Sequence, residues 1–543
     1  MSQSSAAVAE RPVAAAPPVQ QAHVAGRWFI LLGLITAAIM EVLDTTIVNV
    51  ALPQMAGNLG ATREEVAWVS TSYILANVIV LPMTAFFTER FGRKRYLTFS
   101  IILFIVASVL CGTATTLGQL VLWRLLQGAG GAALLSTAQA TLRQIFTKEE
   151  QGLVQAIFLL GIIVAPTLGP TLGGYITDNA SWHWCFFINQ PNGIVSTFLV
   201  VTFLHDPPQQ APRTAGVDWL GIALLIVGVG SLQYVLEEGN IRDWFESRLI
   251  VYLSIVAAVA SATLLWWQLT PRNPHPVIQL RVLRNRDLAA SIFLFIVLGF
   301  GLYGGVIIFP LFTQSILGFS PTQTGLSMMP GGLMTALMAL VCGRLLTGAR
   351  PLVDPRVLIL AGMAMMMWAM WDLGHLSTSA GESDARYALI IRGAALGLLF
   401  TPINNVAFGS LKPQEAQQAS GLINLARQLG GSFGIAVLGA YLTRHIAYHR
   451  ADLATNMYPG NPAFAERFDG LVAGLASQGW ALADAQQRAL AVLDATMMRQ
   501  AAMRAYNDAW LLLLATFLCV VPAVFLLRRP RAAQAAAAAA DAH

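Results

Sequence analysis

The chain has 543 residues and a formal net charge of +5, with 56% hydrophobic and only 11% charged residues. Ordinary soluble chains carry about 25% charged residues, so this composition, with a mean hydropathy of +0.61, excludes a soluble globular protein. It predicts an all-α polytopic membrane protein, and the small, dispersed charge argues against a nucleic-acid partner.

Both ends of the chain have the composition of tails. Residues 1–27 are rich in Ala, Pro, Val and Gln, and residues 529–543 are rich in Ala, so we expect two disordered tails. The first apolar run is too long for a removable signal peptide, carries two acids and lacks a cleavage site. The cysteines show no spacing typical of metal ligands or of a disulfide framework, so we predict no metal site.

Between the tails, about fourteen apolar runs approach the twenty residues that a helix needs to cross a membrane. They predict spans at 28–52, 65–88, 96–115, 118–142, 152–176, 184–204, 218–236, 249–269, 288–316, 323–347, 357–373, 387–409, 418–443 and 508–528. Basic loops such as "ERFGRKRY", "RVLRNRD" and "RRPR" fall on one side of this arrangement. The positive-inside rule therefore places both termini in the cytoplasm.

Residues 444–507 separate the last two spans and carry Leu, Ala and Met at helical spacing. This pattern predicts a small extracytoplasmic helical module. The module is either a cap over the protein or a docking surface for a partner, and the sequence favours neither.

The chain also repeats itself. Spans four and twelve each carry one arginine early, at Arg124 and Arg392, and spans one and nine each end at a proline, Pro53 and Pro310. Parallel repeats of this kind are typical of secondary transporters with a central site where two halves meet. We predict a first six-helix bundle at 28–204, two inserted helices at 218–269 and a second bundle at 288–528.

Five acidic or basic residues lie well inside the predicted spans, away from their ends, where charges are rare because they are costly. They are Glu41, Asp44, Arg124, Arg392 and Arg427. Asp44 and Arg124 lie at depths that agree within about 3 Å, so they could pair if their helices are neighbours. Glu41 lies three residues before Asp44 and projects from nearly the same face.

We interpret Asp44 as a proton site. Burial favours the protonated acid and a nearby arginine favours the carboxylate, so a conformational change that separates them would switch protonation. The alternative is a static ion pair. Glu41 is either a second proton acceptor or a partner for a cationic substrate, and Arg392 and Arg427 contact either substrate or a backbone carbonyl.

The motifs, taken in order, resemble the major facilitator superfamily, and within it the fourteen-span drug:proton antiporters of the EmrB/QacA type. "LDTTIVNVALP" resembles the first-span motif, "ERFGRKR" the loop motif, "RLLQGAGGA" the span-four motif and "APTLGPTLGG" the span-five antiporter motif. "WHWCFFINQPNG" and "GVGSLQYVLEEGNIRDWF" look most like the EmrB branch. Ala85 and Glu89 depart from the glycine and aspartate that are usual in the loop motif.

The resemblance implies a major facilitator fold in which Asp44 couples protons and Arg124 tunes it. The acid at Glu41 departs from the pattern expected across the family, and it stays a candidate on the residues alone. It implies that the loop motif latches the cytoplasmic face through Glu89, Arg90, Gly92, Arg93 and Lys94. It implies that the antiporter motif sets the bend and packing of span five through Gly161, Pro166, Gly169, Pro170, Gly173 and Gly174. We further expect a substrate cavity among Trp68, Tyr73, Asn77, Gln127, Phe187, Asn404, Asn405 and Arg427, although any one of these could instead face lipid or a neighbouring helix.

The sequence as a whole predicts a proton-coupled antiporter that exports amphipathic drugs across a bacterial inner membrane. Its energy source would be the proton gradient, with no cofactor. The resemblance to the EmrB branch implies a periplasmic adaptor and an outer-membrane channel as partners. The alternatives are a dedicated exporter of one metabolite (a siderophore, an aromatic acid or a fatty acid) and a non-transporting sensor on the same fold. No phosphate-binding G-x-x-x-x-G-K-[ST] loop occurs, and no nucleophile–base arrangement suggests an enzyme.

Overall fold

The computed structural model describes residues 26–147, 150–206, 216–346, 352–409, 411 and 415–527, and these residues are helical apart from turns and short connections. The predicted tails lie outside them, except for Gly26 and Arg27. The helices are α1 (Arg27–Leu59), α2 (Arg63–Val80), α3 (Thr84–Phe91), α4 (Arg93–Gly112), α5 (Leu117–Ile145), α6 (Gln151–Asn179), α7 (Trp184–Phe187), α8 (Asn189–Phe203), α9 (Trp219–Glu238), α10 (Arg248–Leu269), α11 (Arg286–Phe312), α12 (Pro321–Leu346), α13 (Pro355–Leu373), α14 (Glu382–Gly409), α15 (Ala416–Ala454), α16 (Pro462–Ser477) and α17 (Leu482–Val520).

Each predicted span lies on one helix or on two consecutive ones. Span two covers α2 and α3, which a short 3-10 turn joins, and span six covers α7 and α8. Among the described residues, eleven helices or joined helices are long and apolar enough to cross a membrane, and α5, α6 and α15 are long helices packed among them. The prediction of an all-α polytopic membrane protein is confirmed.

The two halves of the chain pack in the same way. In the first half, α1 packs on α6 and α8, α2 packs on α5, and α4 packs on α5 and α8. In the second, α11 packs on α15 and α17, α12 on α14, and α13 on α14 and α17. Each of these contacts has its counterpart in the other half, as expected of a repeated bundle. The helices α9 and α10 form a hairpin, and α9 contacts α2 of one half and α15 of the other.

The segment predicted as an outer helical module is helical, but its helices do not stop at the edges of the predicted spans. Helix α15 continues to Ala454, and α17 begins at Leu482 and runs into the last span. Two contacts join these extensions, a hydrogen bond between His449 and Asp508 at 2.6 Å and an ion pair between Arg450 and Asp494 at 3.0 Å. Helix α16 packs on α17.

Glycines allow α6 to lie directly against α1. A Cβ atom at Gly169 would collide with the side chain of Thr46, and one at Gly173 would come within 2.8 Å of the carbonyl oxygen of Ile47. Gly174, the next residue, has open space around it. Small residues at a helix interface permit this close approach, so the spacing between α1 and α6 depends on particular glycines.

The halves meet through polar side chains near the end of the bundle that carries the loop between α3 and α4, called here the basic end. Ser420 of α15 donates to the carbonyl oxygen of Ser136 in α5 at 2.8 Å. Asn424, one turn further along, donates to Gln139 at 2.9 Å. All four residues are buried, so the two halves are closed against each other at this end.

We predict that Gly173→Ala destabilises the protein by about 1–3 kcal/mol, because the added methyl group meets a backbone carbonyl that cannot move aside. The measurement is the midpoint of thermal unfolding in detergent. Gly174→Ala is the matched control and should leave the midpoint unchanged or raise it slightly, since alanine favours helix. Equal loss in the two variants would contradict the packing argument.

Candidate functional site

Asp44 and Arg124 form an ion pair in the interior of the first half. Asp44 lies on α1 and Arg124 on α5, and their side chains are 0% and 1% exposed. Nη1 of Arg124 donates to Oδ2 of Asp44. The two residues that the sequence placed at matching depths are therefore direct partners, as neighbouring helices allow.

Further hydrogen bonds complete the coordination of both charges. The amides of Gln127 and Asn189 each donate to Oδ1 of Asp44 at 2.9 Å. Arg124 also donates to Oε1 of Gln127 at 2.8 Å and, through Nε, to the carbonyl oxygen of Val69 at 2.9 Å. The carboxylate thus accepts hydrogen bonds from both α5 and α8, and it ties these two helices to α1.

The surroundings of the pair are apolar and aromatic. The guanidinium of Arg124 lies over the ring of Tyr73, 4.2 Å from its centre, and Phe186 flanks it at 5.8 Å. With water excluded, attraction between the charges is stronger than at a surface. The two opposite charges therefore compensate each other in this apolar interior.

Glu41 lies one helical turn from Asp44 but has different partners. Its carboxylate accepts from the backbone N–H of Leu135 at 3.0 Å and more weakly from the amide of Asn77 at 3.4 Å. The charge of Arg427, in the other half, acts on Glu41, while Arg427 itself donates to the hydroxyl of Tyr303 at 2.8 Å. Glu41 and Arg427 thus act on each other only at a distance, because no ion pair among the described residues joins them.

The predicted loop motif lies at the basic end. Gly92 has a φ of +84° between α3 and α4, a conformation that strongly favours glycine. Glu89 accepts from Gln418 of the second half at 3.2 Å, and the backbone N–H of Lys94 donates to Asp206 at 2.9 Å. The motif therefore contacts both the opposite half and the end of the first bundle. Its remaining members, Arg90 and Arg93, flank the turn at the end of α3 and the start of α4.

The antiporter motif lies on α6. A Cβ atom at Gly161, Gly169 or Gly173 would meet α1, whereas Gly174 has open space. The side chains of Pro166 and Pro170 lie outside the described residues.

A cavity of about 110 Å³ lies between the two halves. Of the residues predicted to line a substrate cavity, Arg427 borders this one, and the others have the contacts that follow. Tyr73 and Gln127 contact Arg124, and Asn77 contacts Glu41. Trp68 packs on Tyr234, Phe187 lies beside Gly112, the carbonyl oxygen of Asn404 accepts from Arg143, and Asn405 is half-buried.

Sequence reasoning did not single out Asn189 or the cavity residues Tyr303, Met328 and Phe400. Asn189 is a polar residue early in an apolar span, inside the "WHWCFFINQPNG" motif. Its position in an apolar run is a signal that could have identified it, because a buried amide needs partners. Met328 and Phe400 give no such signal, since apolar residues fill every span.

Comparison with known proteins gives a family and several relatives. The model of the Major Facilitator Superfamily matches residues 34–435. The chain is 32% identical to "Multidrug export protein EmrB" of Escherichia coli K12 over 456 residues, covering 83% of this chain and 87% of that protein. It is 31% identical to "Fatty acid resistance protein FarB" of Neisseria gonorrhoeae over 515 residues, covering 95% and 98%. The structure of the human organic anion transporter MFSD10 (TETRAN) superposes with a TM-score of 0.55 at 12% identity, covering 92% of this chain and 100% of that one, which indicates a common fold.

We predict that Arg124→Met lowers the free energy of unfolding by about 3–5 kcal/mol, because it leaves the buried carboxylate of Asp44 unpaired. The double variant Asp44→Leu/Arg124→Met should recover most of the loss, since no buried charge remains. Thermal unfolding in detergent ranks the variants. Arg386→Met is the control, because its exposed pair with Glu382 contributes at most about 1 kcal/mol. A double variant no more stable than Arg124→Met would contradict this account.

Proposed function

The chain belongs to the Major Facilitator Superfamily, in the EmrB-like branch of its drug efflux transporters, and we propose that it is a proton-coupled antiporter. It is a multi-pass membrane transporter rather than an enzyme, and it has the predicted major facilitator fold. The proposed activity is export of amphipathic compounds by alternating access of the two halves. The observation that carries the proposal is the fully buried ion pair between Asp44 and Arg124.

The chemistry of coupling follows from that pair. A proton on Asp44 removes its negative charge and leaves Arg124 as an uncompensated buried cation, which is strongly unfavourable. Arg124 then gains free energy by reaching water or another acceptor, and this would shift α5 relative to α1 and α8. The proton gradient supplies the energy, and the proposal involves no cofactor.

Alternating access needs a closed end that can open. The hydrogen bonds between α5 and α15, and between Glu89 and Gln418, close the basic end. Basic loops face the cytoplasm in most membrane proteins, so we infer that this end and both termini are cytoplasmic. Breaking these few hydrogen bonds would open the central cavity to that side. Each contributes about 0.5–1.5 kcal/mol between neutral groups and about 1.5–3 kcal/mol where the acceptor is the carboxylate of Glu89.

The proposed location is a bacterial inner membrane, as expected for a relative of proteins from Escherichia coli and Neisseria gonorrhoeae. The proposed partners are a periplasmic adaptor and an outer-membrane channel. The extensions of α15 and α17, together with α16, would be the contact region, where Tyr448, Tyr458 and Trp480 are exposed. Exposed aromatic side chains are common anchors of protein interfaces.

The second candidate function is the dedicated export of one metabolite by a protein of the same fold. The similarity to the fatty acid resistance protein favours it, because that similarity extends over 95% of this chain. A strict substrate profile would distinguish this function from broad drug export.

We predict that Asp44→Asn abolishes accumulation of an amphipathic dye driven by a pH gradient in proteoliposomes. Asparagine keeps the size of the side chain but cannot exchange a proton, so movement of dye down its own gradient should persist while uphill transport is lost. The measurement is dye flux with and without an imposed gradient.

Glu246→Gln is the matched control, because it neutralises an exposed acid and should pump at the wild-type rate. Uphill transport by Asp44→Asn at that rate would refute the assignment. Glu41→Gln, measured in parallel, would then show whether the neighbouring acid couples protons instead.

A further inference from the structure

The internal repeat gives each half one buried arginine in an equivalent place, and the two differ in charge compensation. In the first half, Arg124 is neutralised by Asp44, nine residues before Pro53. In the second half, Arg392 lies on α14, which corresponds to α5. The residue nine before Pro310 is Gly301, so the position that holds the counter-ion in the first half has no side chain in the second.

The contacts of Arg392 agree with this difference. Its guanidinium donates through Nη2 to the carbonyl oxygens of Leu302 at 3.1 Å and, weakly, of Gly301 at 3.5 Å. The side chain is only 4% exposed, and its buried Nε–H has no hydrogen-bond partner among the described residues. A guanidinium has five N–H donors, and a buried donor left without a partner is costly.

Gly305 leaves the space that the guanidinium of Arg392 occupies. A Cβ atom at that position would overlap the Nη2 and Cζ atoms of Arg392. The absence of a side chain on α11 therefore lets the charged group lie flat against the helix backbone, at the wall of the cavity between the halves.

The cavity itself has an amphipathic character. Arg392 and Arg427 both border it, and its described lining contains no carboxylate. Most of the remaining wall is apolar, with Leu302, Val306 and Phe400 among its members. Its volume of about 110 Å³ is below the roughly 300–1,000 Å³ of pockets for drug-sized ligands, so in this conformation it would hold a head group rather than a whole ligand.

The two arginines are not equally available to a ligand. Arg427 is attracted by Glu41 and hydrogen-bonded to Tyr303 and Asn424. Among the described residues, no ion pair includes Arg392. Of these two arginines, Arg392 is therefore the one that lacks an anion among the described residues, and the planar geometry of a guanidinium suits a carboxylate.

We propose that Arg392, seated on Gly305 and assisted by Arg427, binds the carboxylate head group of an amphipathic organic acid in the cavity between the halves. The ligand supplies the counter-ion that Gly301 cannot supply, and its apolar body lies along the apolar wall once the cavity widens as the halves open. This inference rests on the proposed export function and names the substrate class for it.

Equilibrium binding to the full-length protein tests the proposal, with three ligands of nearly equal shape and different charge. The probes are 2-naphthoate, 2-naphthamide and 2-naphthylmethylammonium, titrated calorimetrically at neutral pH into protein in nanodiscs of zwitterionic lipid. We expect 2-naphthoate to bind at least tenfold more tightly than the other two, which corresponds to about 1.4 kcal/mol.

The variants assign that preference to a residue. Arg392→Gln should lower the affinity for 2-naphthoate at least tenfold and leave the affinity for 2-naphthamide unchanged. Arg392→Lys should retain part of the preference for 2-naphthoate, because it keeps the charge. Arg248→Gln removes an exposed arginine at the start of α10 and should bind all three probes as wild type does.

Three results would overturn the proposal. They are no binding of 2-naphthoate to the wild type, equal or tighter binding of the ammonium probe, and equal weakening of all probes by a folded Arg392→Gln variant. The first two need no variant, so they decide the matter even if Arg392→Gln fails to fold. No proton gradient is present, so this binding result is independent of whether Asp44 couples protons.

Discussion

The cost of a charge inside a membrane governs this structure. An ionisable side chain in the hydrocarbon core needs a partner within the protein, and Asp44 and Arg124 supply each other. Their pairing decides which helices are neighbours, because the carboxylate also accepts from Gln127 and Asn189. Three helices, α1, α5 and α8, therefore meet at one buried carboxylate. A change in its protonation state affects all three at once, and this makes it suitable for coupling a proton to a conformational change.

Close helix packing is the second requirement, since a short ion pair needs short distances between helix axes. At Gly128 a Cβ atom would collide with the backbone of Tyr73, and at Gly169 it would collide with Thr46. These contacts bring α5 against α2, and α6 against α1. Lipid chains are as apolar as the helices, so packing and polar contacts rather than the hydrophobic effect hold the bundle together.

The features that the sequence predicts well are local ones. Length and hydropathy are properties of single segments, so each membrane span can be predicted from its own residues. The pairing of Asp44 with Arg124 was also accessible, because depth along a helix follows from residue count. The sequence does not show which face of each helix points to the centre of the bundle, because these helices are apolar on every side. Gln127 was therefore expected at the substrate cavity, although it contacts Asp44. The extensions of α15 and α17 were missed for a related reason, since hydropathy marks the membrane limits and not the end of a helix.

The repeat places equivalent arginines in the two halves, but only one has an internal acid. If Asp44 exchanges protons in the first half and Arg392 binds an anion in the second, the first half couples transport to protons and the second recognises the substrate. Glu41 lies between these sites, because it is one turn from Asp44 on α1 and attracts Arg427, which borders the cavity. A shift of α1 upon protonation of Asp44 would carry Glu41 with it and alter the field at Arg427. An anion bound beside Arg427 would compete with Glu41 for that same cation. The proton and the anion would then affect each other's binding through one electrostatic interaction. By linkage, the change in binding free energy would be equal in both directions.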